Sequence, residues 1–361
     1  MIRTRAARPL TILCSLLLAV AIADLILPPQ LFAQIPTQQG PMKPPPPQKE
    51  KLPPPPVQQQ QQSQYSLTVQ SQVVQVNTVV TDQAGNIITG LKQGNFRIFD
   101  DNHEEPITNF EPNTAPITIV ILLEFSNTFG MYFSWWGPYL MSGFTSHLGP
   151  KDWVALVTYD LRPHIVVDFT HNGQEINNAL QSLVFPGFSE SNEFDALINT
   201  LDRLKDVQGK KAILLVSTGF DTFSKHTLDQ TYDALKKTNV TVFCINLAEM
   251  FEVRNPNGES ITYLQAQNEM NYFAKYTGGF AWFPRFEGEM PDIFNTVVAF
   301  LRNQYSLGYV PPASARDGKY HKIRVEVVDD KGQPLMEPNK KGKMQKVVVY
   351  ARAGYIAAKG S

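Results

Sequence analysis

Hydrophobic periodicity divides this chain into three stretches. Between 65 and 111 apolar residues alternate with polar ones: Leu67, Val69, Val73, Val74 and Val76 lead into Val79-Val80-Thr81. Such alternation predicts strands. The turn Asp82-Gln83-Ala84-Gly85-Asn86 precedes Ile87-Ile88, and Phe96-Arg97-Ile98-Phe99 forms a further short strand ended by Asp100-Asp101-Asn102. From 113 to 303, short apolar runs alternate with segments of helical period. Strands are expected at 117–123, 153–159, 164–168, 211–217, 240–246 and 280–283. Helices are expected near 135–148, 174–183, 193–206, 225–238, 262–277 and 289–303. This order predicts an α/β fold with a doubly wound, mostly parallel sheet and right-handed crossovers. Alternation returns in 304–356, at Gln304–Tyr309, Lys322–Val328 and Lys346–Ala351. Neither β flank is comfortable alone at that size. The N-terminal segment 65–112 and the C-terminal segment 304–356 are therefore expected to pair into one small β domain, with the 113–303 α/β domain inserted between them.

The most informative run is 117–128. Ile117-Thr118-Ile119-Val120-Ile121-Leu122-Leu123 is a continuous, β-branched-rich apolar stretch. A central parallel strand covered on both faces has this pattern. The run stops at three oxygen-bearing side chains two residues apart, Glu124, Ser126 and Thr128. That spacing in extended chain lets the three converge on one side. A carboxylate and two hydroxyls suit Mg²⁺ or a polar ligand, and open α/β sheets bind ligands at this edge.

Here the chain resembles the von Willebrand factor type A (VWA) family, over roughly 65–356. That family's metal-ion-dependent adhesion site opens with Asp-x-Ser-x-Ser, and Glu124-Phe125-Ser126-Asn127-Thr128 has the same pattern with two substitutions. Ser191-Asn192-Glu193-Phe194-Asp195 falls where the family supplies a metal-binding Thr before a helix. Ala212 to Thr222 resembles a strand ending in Thr-Asp-Gly-x-Asp, with Thr218 in place of the metal-binding Asp. The likeness is greatest to the VWA-related proteins of Acidobacteria. It implies a VWA/Rossmann-like fold and a degenerate metal site of Glu124, Ser126, Thr128, Ser191 and Thr218, with Asp221 reaching in. Only one carboxylate then stands where the family usually has two. The extra methylene of Glu124 is expected to push its carboxylate outward, and Thr218 brings no charge. No firmly bound cofactor is expected, and Mg²⁺ only weakly.

Phe129, Tyr132, Trp135 and Trp136 follow the first motif directly. They are candidate ligand-binding residues, since aromatic side chains are typical interface anchors. The alternative is that they pack inward as the start of the first helix.

Composition sets further limits. The chain has 361 residues, 43% of them hydrophobic, and a formal net charge of −1. The charge gives no electrostatic case for nucleic acid. Arg3, Arg5 and Arg8 precede an apolar stretch from Leu10 to Ile22, which is the pattern of a secretory signal. Residues 1–33 read as a signal peptide cleaved after Ala33, with Ala19-Val20-Ala21 as a second cleavage candidate. Asp24 leaves the apolar run short of the roughly 20 residues a spanning helix needs, so membrane attachment is expected only if the signal stays on. Residues 34–64, rich in Pro and Gln, read as a disordered linker with polyproline II character. Cys244 would then be the one cysteine left, within a strand-like run, and reads as an inert buried thiol. The six histidines show no metal-ligand spacing, and the Asp-rich turns lack a full Ca²⁺ loop.

Nothing legible argues for an enzyme: no nucleophile elbow, phosphate loop or His-Glu-x-x-His is present. The expectation is a secreted, periplasmic or cell-envelope protein. It would bind a protein or cell-surface ligand through loops at 124–136, 186–195 and 217–224. The alternative is a non-catalytic scaffold subunit of an envelope complex with a vestigial metal site.

Overall fold

The computed structural model describes residues 73–111, 116–127, 137, 143–183, 188–250 and 260–357. The expected signal peptide and linker lie outside these residues, as do Thr128, Phe129, Tyr132, Trp135 and Trp136.

At the centre is a mixed sheet of six strands: β5 (Ile117–Glu124), β6 (Trp153–Tyr159), β7 (Pro163–Thr170), β8 (Lys210–Ser217), β9 (Thr241–Asn246) and β10 (Ala281–Trp282). Their order across the sheet is β10-β9-β8-β5-β6-β7. All neighbours run parallel except the edge strand β7, which pairs antiparallel with β6 through a bulged register. Among the described residues, five helices have defined bounds: α1 (Gly173–Ser182), α2 (Glu193–Leu204), α3 (Leu228–Lys237), α4 (Ser260–Thr277) and α5 (Met290–Arg302).

The period-2 geometry of β5 explains why its whole run is apolar. Ile119, Ile121 and Leu123 point into one core with Leu214, Val216 and Phe243, covered by Ile176 and Leu180 of α1 and Phe294 and Val297 of α5. Val120 and Leu122 point the other way, into a core with Ile213, Leu215 and Val242, covered by Leu197 and Leu201 of α2, Leu235 of α3 and Phe273 of α4. Both faces are covered by apolar side chains, as a central parallel strand requires. Cys244 lies fully buried in the second core, and burial pushes its thiol well above the ordinary range.

Two four-stranded sheets flank this unit, and β13 (Met336–Pro338) pairs with β14 (Met344–Lys346) in a two-stranded one. One has the order β15-β1-β11-β4, built from β1 (Val74–Thr81), β4 (Asn109–Glu111), β11 (Tyr305–Tyr309) and β15 (Val348–Ala351). The other has the order β16-β12-β2-β3, built from β2 (Phe96–Asp100), β3 (His103–Glu105), β12 (Tyr320–Val327) and β16 (Gly354–Ile356). Both combine strands from before and after the central sheet: they alternate in the first, and in the second the β12–β2 pair joins the two halves. A third core of Val76, Val80, Phe96, Ile98, Leu307, Tyr309, Ile323 and Val325 fills the space between them. β12 shows strict alternation, exposed then buried, along all eight residues.

Polar contacts join these sheets to the α/β unit. Arg352, nearly buried, reaches the Lys236 carbonyl at the end of α3 (3.2 Å). The Ala353 amide donates to the Tyr276 carbonyl of α4 (3.0 Å). Arg302 of α5 forms a two-pronged ion pair with the buried Asp152. Asp152 also accepts from the Ile117 and Gly149 amides (3.0 and 2.7 Å), which ties α5 to the start of β5.

Candidate functional site

Four parallel strands end in a row of polar residues. Tyr159 on β6 pairs with Glu124 on β5, and Ser217 on β8 pairs with Asn246 on β9. All four are buried. A polar group in such a place must find a partner or lose free energy, and each of them finds one.

Glu124 is the hub. Its Oε1 accepts the Ser126 hydroxyl (2.7 Å). Its Oε2 accepts the Ser217 hydroxyl (3.0 Å), the Thr218 amide (2.7 Å) and the Thr218 hydroxyl (2.7 Å). The expected outward carboxylate is corrected here: Glu124 is only 2% exposed. The extra methylene lets its carboxylate reach the Thr218 donors across the β5–β8 seam.

Glu193, the first residue of α2, brings a second carboxyl that sequence reasoning missed. It is buried, and it contacts both the Ser217 and Tyr159 hydroxyls, the latter at 3.1 Å. Burial, with the Glu124 and Asp221 charges adding to it, pushes its carboxyl up to about 8, against the lowering effect of Ser217. Hydroxyl bookkeeping agrees with that direction. Ser217 Oγ receives the Gly219 amide (2.8 Å) and has one proton, yet it touches both Glu124 and Glu193. One proton cannot serve two carboxylates, so one of the two acids must supply the other. Glu124, with four donors, has the surroundings of an anion. Glu193 is the member that keeps its proton near neutral pH.

The row continues on β9. The Asn246 side-chain amide donates to the Thr218 carbonyl (2.7 Å), and its Oδ1 accepts the Ala248 amide (3.0 Å). Gly219 sits between them with φ +76°, and a Cβ there would lie 2.9 Å from both Asn246 and the Met270 sulfur. Only glycine fits both the conformation and the space.

The remaining expected ligands are placed differently. Asp221 does not reach in: its Oδ2 accepts the Phe194 amide (3.0 Å) and its Oδ1 the Ser224 amide (3.1 Å), which fixes it at the start of α2. Ser191 is buried, and its Oγ has no hydrogen-bond partner. Its backbone is well held, because the Ser191 carbonyl accepts the Thr222 and Phe223 amides (2.8 and 3.0 Å). Glu124, Ser126 and Thr218 are thus brought together, joined by Ser217, Glu193 and Tyr159.

Among the described residues, which leave out Thr128, this arrangement does not fit a hard divalent cation. Mg²⁺ needs several oxygen lone pairs in tight octahedral order. Here both Glu124 oxygens already accept hydrogen bonds, one from the fixed Thr218 amide. The residue in the place of a second acid, Thr218, is a donor.

No protein-family model matches the chain, and no curated protein matches it. Solved structures similar to it include the conserved hypothetical protein BatB from Bacteroides thetaiotaomicron, at 15% identity, 51% of this chain, 98% of that chain and a TM-score of 0.39. A von Willebrand factor type A protein from Catenulispora acidiphila aligns at 10% identity over 72% of this chain and 73% of its own, with a TM-score of 0.42. The vWF domain of the type V pili tip protein Mfa5 from Porphyromonas gingivalis aligns at 12% identity over 52% and 95%, with a TM-score of 0.40.

Proposed function

We propose that this chain is an exported, non-enzymatic binding protein of the VWA type. It engages a protein or surface ligand directly through the loops at the C-terminal edge of its parallel sheet, with no bridging metal. One observation carries this reading. Phe188 and Phe223 are 51% and 56% exposed, and each is held by a backbone hydrogen bond to a neighbouring loop. The Asn127 amide donates to the Phe188 carbonyl, and the Phe223 amide donates to the Ser191 carbonyl. Two aromatic rings on fixed loops offer apolar area to a partner with little ordering left to do.

The buried hub serves this reading as a brace. It locks the ends of β5 and β8 and the start of α2, and so sets where the loops stand. Export rests on the basic start and the apolar run at Leu10–Ile22, and it implies a secreted or envelope setting. In this reading the two flanking sheets form one small β domain that carries the α/β unit.

The test is capture from an envelope extract of the source organism on immobilised protein, in Mg²⁺ and in EDTA. Retention of a defined partner in both, lost in the Phe188→Ala, Phe223→Ala double variant, is the expected result. Capture that needs Mg²⁺, or that survives the double variant, overturns it.

A further inference from the structure

We propose that the β2–β12 pair carries a second, unrelated site, for a divalent transition metal such as Zn²⁺, formed by His321 Nδ1, Asp100 Oδ1 and Asp101 Oδ2.

The site comes from strand pairing. Ile323 on β12 sits opposite Asp100 at the end of β2, and the Asp101 amide donates to the Lys322 carbonyl (2.9 Å). Asp101 and Asn102 make the turn with positive φ, 46° and 71°. This brings His321 against two carboxylates far away in sequence. Its Nδ1 lies 3.0 Å from Asp101 Oδ2 and 3.4 Å from Asp100 Oδ1. One ligating atom from each of the three residues falls within 4.8 Å of the others. A tetrahedral ion bound at roughly 2.0–2.1 Å holds its ligand atoms about 3.3 Å apart, so two of the three separations already suit it.

A second observation points into the same spot. Asp100 is 4% exposed, and its Oδ1 is a buried carboxylate oxygen with no hydrogen-bond partner. Its other oxygen accepts the Tyr309 and Tyr355 hydroxyls (2.8 and 2.9 Å). Those two bonds fix the carboxylate plane and leave Oδ1 directed at His321. A bare imidazole nitrogen facing two carboxylates is repulsive, so something positive must lie between them: a proton on Nδ1 or a metal ion.

The surroundings favour the metal. His321 Nε2 lies 3.2 Å from Asp317 Oδ1. A ring N–H donating to a carboxylate leaves the other nitrogen as a lone pair, the arrangement that orients metal-bound histidines. The Asp101 carboxylate is half exposed, which leaves the site open to an ion from solvent. An imidazole with two carboxylates selects Zn²⁺ and its neighbours over the all-oxygen preference of Mg²⁺ and Ca²⁺.

Calorimetry on the full chain with Zn²⁺, and visible spectra with Co²⁺, test this. Saturable one-to-one uptake at micromolar Zn²⁺ is expected. Asp101→Asn and His321→Gln should each weaken it at least tenfold, Asp317→Asn by roughly 10–100-fold as second-sphere changes do, and Asp82→Asn, on a separate acidic turn, should not. Co²⁺ should give visible bands that Asp101→Asn abolishes. If His321→Gln fails to fold, the half-exposed Asp101→Asn still decides. Absence of one-to-one uptake, or uptake undiminished in Asp101→Asn, overturns the site.

Discussion

The Thr218 hydroxyl stands 2.7 Å from the Glu124 carboxylate and donates to it. A donor thus occupies the place where the resemblance to VWA domains would put a second acid. Thr218→Val keeps the shape and removes the donor. Losing a hydrogen bond to a charged group costs about 1.5–3 kcal/mol, so chemical denaturation should show a loss of that size. Thr218→Asp places a negative charge beside Glu124 and should destabilise more. That loss should be recovered in part by added Mg²⁺, and a Thr218→Asp melting temperature identical in Mg²⁺ and EDTA would refute this account of the donor set.

Glu193 predicts the pH dependence. Its native value, about 8, lies above the ordinary 4.5 of a glutamate. The folded state therefore holds a proton that the unfolded chain releases in that window. The stability this contributes is complete below about pH 4.5 and is lost as pH rises through 8, at no more than about 1.4 kcal/mol per pH unit. Glu193→Gln should flatten the stability–pH curve between those limits. A wild-type curve that rises from pH 5 to pH 8, with Glu193→Gln unchanged, would contradict the neutral assignment.

Gly219→Ala combines a left-handed backbone with a Cβ 2.9 Å from Asn246 and Met270. A cost of roughly 1–3 kcal/mol is expected from the conformation alone, with the close contacts adding to it. Thermal melting of the purified variant measures this.

Arg302→Ala removes the partner of Asp152, which is 2% exposed. Uncoupling a buried pair costs about 3–5 kcal/mol. The Arg302 side chain is 35% exposed, so water screens part of the interaction and a value near or below the lower end is expected. Asp152 also keeps its two amide donors. The double variant Arg302→Met, Asp152→Asn should recover part of the loss in the same assay.

The sequence makes the central sheet plain because β5 is buried on both faces and carries a single polar residue, Thr118, before Glu124. The expected strand at 164–168 runs longer, Pro163–Thr170, and antiparallel, a direction that periodicity does not encode. The second carboxyl of the site was hidden for a different reason. An acidic residue in the first turn of a helix ordinarily signals the helix dipole, and Glu193 looks like one. Its burial comes from Tyr159 and Ser217, which arrive on other strands. The end-of-strand positions carried the only signal, since Tyr159 and Ser217 close apolar runs as Glu124 does. His321 is hidden likewise: its neighbours Asp100 and Asp101 lie about 220 residues earlier, and only the β2–β12 register brings them together.

Glu111 on β4 sits opposite Ser306 on β11, and these antiparallel neighbours bracket the α/β unit. The long excursion between them leaves and returns at one spot. Replacing residues 112–304 with a short turn would therefore join β4 to β11 as an ordinary hairpin. The two flanking sheets become a transplantable frame, into which other loop-bearing units can be spliced without re-registering a single strand.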